Sequence, residues 1–107
     1  MRMERFKLIP VRFYRTARGN EPVREFFRKK LTKEEKKTVG DDIQTVQRCP
    51  SVGWPLVDGL GEGLSEVRSN LPNRICRTIF ASHDGQMLLL HAFIKKTQKC
   101  PPQDKVL

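Results

Sequence analysis

From residue 20 of this 107-residue chain onward the spacing of apolar side chains changes once, and the change dictates a fold in which two helices precede a run of strands. Between residues 20 and 50, apolar residues recur every three or four positions. Val23, Phe26 and Phe27 mark a short amphipathic helix running to about Lys30, with Asn20 as its N-cap and Glu21-Pro22 in its first turn. Thr32-Lys33-Glu34-Glu35 has the form of a capping box, in which hydroxyl and carboxylate satisfy each other's backbone amides at a helix start. A second helix follows, with Val39, Ile43 and Val46 as its inward stripe and Cys49-Pro50 as its end. Gly40 lowers its intrinsic stability by up to ~1 kcal/mol relative to Ala, so packing must hold it.

Beyond residue 63 the period falls to two. Leu64 to Ser69, Ile75 to Ser82 and Gln86 to Lys95 read as strands, joined by a Leu71-Pro72-Asn73 turn and by His83-Asp84-Gly85, where Asp-Gly signals a hairpin. An earlier strand is expected within Lys7 to Arg15, with Pro10 suiting an edge position. The glycine-rich stretch Ser51 to Gly63 reads as a loop folded back on the core through Trp54, Leu56, Val57 and Leu60. The expectation is one α+β domain over residues 1–107, in which two helices cover one face of an antiparallel sheet and leave the other open. The polar tail from Thr97 to Leu107 is expected to be irregular.

Lys and Arg number 21 against 12 Asp and Glu, a formal charge of +9. Such a chain attracts polyanions at long range, which points to nucleic acid or the ribosome as partner. Cys49, Cys76 and Cys100 are odd in number and lack the spacing of a zinc site, so free thiols in a reducing cytoplasm are expected. Neither a signal-peptide pattern nor a run long enough to span a membrane is present, and the protein is expected to be soluble and cytoplasmic. Phosphate-binding glycine loops, dinucleotide fingerprints, zinc-protease motifs and nucleophile elbows are missing from the sequence.

Alternation along the strands groups the chemically capable residues. Glu66 and Arg68 share a face while Val67 points to the core. Arg77 lies between Ile75 and Ile79, and a charge at mid-strand is either salt-bridged on an outer face or functional. His91, Phe93 and Lys95 alternate onto one face, offering an imidazole, a ring to stack a base and a cation for a phosphate. RNA cleavage needs little more, because the 2′-hydroxyl is itself the nucleophile. Cations must surround the phosphate, one group must take a proton and another must give one. Glu66 with Arg68, Arg77, Lys95 and Lys96 supplies the charge and one candidate base, with no metal or cofactor required.

Three strings carry a family resemblance: Gly63-Leu64-Ser65-Glu66-Val67-Arg68, Asn73-Arg74-Ile75-Cys76-Arg77-Thr78-Ile79-Phe80, and the run from Asp84 to Lys99 that ends H-A-F-I-K-K-T-Q-K. Together they resemble the phage-derived HigB branch of the RelE/ParE toxin superfamily, with a weaker likeness through Glu21-Pro22-Val23-Arg24-Glu25-Phe26. The resemblance implies a RelE-like fold, a curved antiparallel sheet of about four strands packed on two N-terminal helices. It also implies ribosome-dependent cleavage of mRNA by the toxin of a type II toxin-antitoxin system. Arg77 would stabilise the cleaved phosphate, Lys95 and Lys96 would form the basic pair ending the last strand, and Glu66 and Arg68 match a further family strand. Arg74 and Lys99 join His91, Phe93 and Arg68 as expected RNA or phosphate contacts. The implied partner is a helix-turn-helix, HigA-like antitoxin, through which the complex would bind operator DNA.

Two other readings share these features. ParE-type toxins have the same fold and poison DNA gyrase without cutting RNA. A phage-derived nucleic-acid-binding protein without catalysis would keep the basic face and be indifferent to loss of Glu66. A basic cluster of Arg68, Arg77, Lys95 and Lys96 on one face favours the ribonuclease.

Overall fold

The computed structural model describes residues 8–96. Strand β1 (Val11–Phe13) is followed by helices α1 (Pro22–Lys30) and α2 (Lys33–Arg48), then by strands β2 (Val57–Gly61), β3 (Leu64–Leu71), β4 (Arg74–His83) and β5 (Gln86–Lys96). The strands form one sheet in the order β1-β5-β4-β3-β2, so the first two strands of the chain lie at opposite edges. Both helices pack on the same face, α1 against β1 and β5 and α2 against β3.

The helices form where the apolar period and the end signals agree. Thr32 caps α2 through the expected reciprocal pair: its Oγ1 accepts from the Glu35 amide and Glu35 Oε1 accepts from the Thr32 amide. Val39, Ile43 and Val46 are buried beneath it, together with Val23 of α1 and Val67, Cys76, Phe80, Met87 and Leu89 of the sheet. Each large apolar side chain so buried contributes roughly 1.5–3 kcal/mol, enough to offset the cost of Gly40. The cap of α1 is Glu21 rather than Asn20, because Asn20 is committed to a turn in which its amide donates to Thr16 Oγ1 and its carbonyl accepts from the Thr16 amide.

Three expectations about the sheet are corrected. It has five strands, and it is mixed: β1 runs parallel to β5, while the other pairs are antiparallel. Regular pairing in β1 covers only Val11 to Phe13, since Pro10 brings no N–H and contributes only its carbonyl, which accepts from the Met87 amide. The stretch read as a loop contains β2, which pairs along β3 from Val57 opposite Val67 to Gly61 opposite Leu64. Its glycines hid the strand from a propensity reading, yet they make the hairpin possible. Gly61, Glu62 and Gly63 all take positive φ, at 90°, 53° and 79°. Leu56 and Val57 pack on the core, whereas Trp54 and Leu60 remain exposed.

The β4–β5 turn at Asp84-Gly85 has φ of 54° and 71°, the geometry that the Asp-Gly signal anticipates. Pairing between β4 and β5 shifts register between Ile79 and Phe80, so that Ile79 faces His91 and Phe80 faces Leu89. Leu90 is the extra residue of this bulge, immediately before His91.

Candidate functional site

The face not covered by helices carries side chains in rows fixed by the strand register. One row contains Asp58, Glu66, Ile79 and His91; the next contains Arg68, Arg77 and Phe93; a third contains Asn70, Ile75 and Lys95. Arg77 sits at the centre. Phe93 stands opposite it on β5, and His91 and Lys95 occupy the two diagonal positions beside Phe93. The His91 and Phe93 rings are stacked, with centroids 5.6 Å apart.

Glu66 is the hinge of the charged group. It is only 3 % exposed, and its Oε2 lies 3.5 Å from Nη1 of Arg68 and 3.5 Å from Nη1 of Arg77. A carboxylate so enclosed is better placed to orient two guanidinium groups than to meet a substrate. Arg77 Nε is buried and has no hydrogen-bond acceptor among the described residues, so its charge is only partly matched. Arg68 in turn lies over the Trp54 ring, its guanidinium carbon 5.1 Å from the centroid.

Six of the expected residues therefore converge: Glu66, Arg68, Arg77, His91, Phe93 and Lys95 share the open face. Lys96 and Arg74 do not. They face each other on the helix side of the sheet, because neighbouring residues of a strand point in opposite directions, and this corrects the placing of Lys96 with Lys95 on one face. Arg74 is occupied in the fold, donating to both oxygens of Glu35 at 3.2 and 2.7 Å and to the Lys30 carbonyl at 3.0 Å. It ties the end of α1 and the capping box of α2 to the start of β4. The Arg74 guanidinium, and after it the Thr32 amide, hold the Glu35 carboxyl below the usual carboxylate range. Lys99 lies outside the described residues.

Sequence reasoning missed Asp58 and Trp54. Asp58 stands directly opposite Glu66 and makes no ion pair with any described residue. Recognising β2 as a strand would have placed it there. No group of three or more His, Cys, Asp or Glu suited to a metal occurs among the described residues, and no described helix is long and apolar enough to cross a membrane.

A helix-backed α+β sheet whose open face centres on an arginine defines the class, a small basic protein with its guanidinium groups gathered on the uncovered side of the sheet. The chain belongs to a family of phage-derived proteins: the model described as Phage derived protein Gp49-like (DUF891) matches residues 25–107. That membership is consistent with a toxin-like protein. Neither the curated proteins nor the solved structures gave a match.

Proposed function

We propose that this protein is a toxin-type endoribonuclease that cuts mRNA on the translating ribosome, with a RelE-like fold and a neutralising helix-turn-helix antitoxin as partner. The observation that carries the reading is the arrangement around Arg77, a partly compensated guanidinium oriented by buried Glu66 and flanked by Phe93, His91 and Lys95 on an uncovered face. The family membership and the sequence resemblance support it.

In this reading the RNA 2′-oxygen attacks the adjacent phosphorus, the bond to the 5′-oxygen of the next nucleotide breaks, and a cyclic phosphate remains. Arg77 stabilises charge developing on the phosphoryl oxygens, the term that usually contributes most to such catalysis. His91, exposed and diagonal to Arg77, takes the proton from the 2′-hydroxyl, and the departing 5′-oxygen takes up a proton from the imidazolium so formed or from water, which leaves the step balanced. Lys95 neutralises a neighbouring phosphate, and Phe93 stacks a base. Glu66 positions Arg68 and Arg77.

The test is controlled expression in bacteria of the wild type and of Arg77→Lys, followed by mapping of mRNA 5′ ends. Lysine keeps the charge and loses the planar fork. New ends within translated codons, reduced by roughly 10²–10³-fold in the variant, are expected. Growth arrest with DNA damage and intact mRNA would establish a gyrase poison instead, and absence of arrest would leave a binding protein.

A further inference from the structure

Trp54 is the most exposed of the large apolar side chains described, at 68 %. An indole left in water forgoes a large burial term, so a solvent-facing one needs an explanation. Its chain neighbours Leu56 and Val57 reach the core, and Trp54 turns outward to meet Arg68. A planar ring has two faces. The guanidinium of Arg68 lies over one, and the high exposure leaves the other to solvent.

The surroundings of the ring indicate what it receives. Arg68 and Pro55 also bound a recess of about 250 Å³ at the free end of the β3 edge, lined further by Thr38, Asp42, Leu56 and Asn70. An apolar protein side chain seated there would strip water from a guanidinium and several polar groups without replacing their hydrogen bonds. A nucleobase brings a π-face for the indole, polar edges for its surroundings and an attached phosphate for the arginines. Trp54 touches Arg68, Arg68 touches Glu66, and Glu66 touches Arg77, so the ring is tied by three contacts to the centre of the open face.

We infer that Trp54 is a stacking platform for one unpaired base of an RNA strand whose adjacent phosphate is held by Arg68 and Arg77. The inference rests on the RNA reading above for the identity of the ligand, but it concerns binding, and its readout is separate from cleavage.

Trp54 is the only tryptophan in the chain, so its emission reports on the site directly. The full chain is titrated with a short single-stranded 2′-O-methyl RNA, which cannot be cut, and with an abasic oligonucleotide of the same length and with polyphosphate. Emission is expected to fall with the base-bearing strand and to stay constant with the other two. Trp54→Ala is expected to weaken binding of the labelled strand by about 10-fold, about 1.4 kcal/mol, and Trp54→Phe to restore most of it. The indole is exposed, so removing it leaves the core intact. Unchanged emission at saturation, equal quenching by the abasic strand or by polyphosphate, or an unaltered Trp54→Ala affinity would each overturn the platform. Base-dependent quenching without any mRNA cleavage in cells would retain the platform and remove the endoribonuclease. Cleavage with an indifferent Trp54 would do the reverse.

Discussion

Arg68 and Arg77 face each other directly across the β3–β4 ladder, and each comes within 3.5 Å of the same Glu66 oxygen. Like charges in that position repel, and the buried carboxylate is what lets the sheet carry both. The open face thereby holds two guanidinium groups at fixed positions.

Glu66→Gln preserves shape and removes the charge. Stability is expected to fall by about 1–3 kcal/mol, read from denaturant midpoints, as the arginines lose the negative charge they share and keep only a neutral amide oxygen. Cleavage is expected to fall while RNA affinity rises, because the face gains one positive charge. The pH profile of residual cleavage keeps its shape if Glu66 only positions the arginines; loss of one limb would make it the proton carrier.

Lys95 and Lys96 separate by face. Lys95→Ala is expected to reduce the slope of log affinity against log salt by about one for RNA binding, the signature of one lost phosphate contact. Lys96→Ala, on the helix side opposite Arg74, leaves the slope unchanged. Equal effects would place the strand across the sheet edge instead of over the open face.

The Arg74–Glu35 contact makes a prediction about pH. Glu35 is held below the ordinary glutamate range, so its contribution to stability is present above that range and is lost as pH falls through the depressed value. Glu35→Gln is expected to lower the melting midpoint at pH 7 and to differ less from wild type in acid. Arg74→Ala should lower it likewise while leaving the RNA salt slope intact, because Arg74 faces away from the open side.

Cys76 is buried under the sheet, and burial pushes its thiol up to about 11, so little nucleophilic thiolate exists at neutral pH. Iodoacetamide followed by peptide mapping is expected to label exposed Cys49 in the native protein and Cys76 only in denaturant. Labelling of native Cys76 at a comparable rate would mean that the sheet opens locally between α2 and β4.

Much of this architecture was legible in the sequence because local physics dictates it. The capping box at Thr32, the stripe of Val39, Ile43 and Val46, and the Asp84-Gly85 hairpin depend on neighbours within a few residues. Strand alternation alone brought Glu66 and Arg68 to one face and His91, Phe93 and Lys95 to another set of aligned positions. Tertiary structure decided the rest. Strand β2 exists because β3 offers a free edge to a glycine-rich segment that has little strand preference of its own, and with it came Asp58 and the outward Trp54. Arg74 looked like one more cation for RNA, but its partner Glu35 lies 39 residues away, a distance no local pattern spans. The sequence by itself determined which side chains share a strand face. Only folding decided which faces meet, since register and edge pairing depend on contacts between segments far apart in the chain.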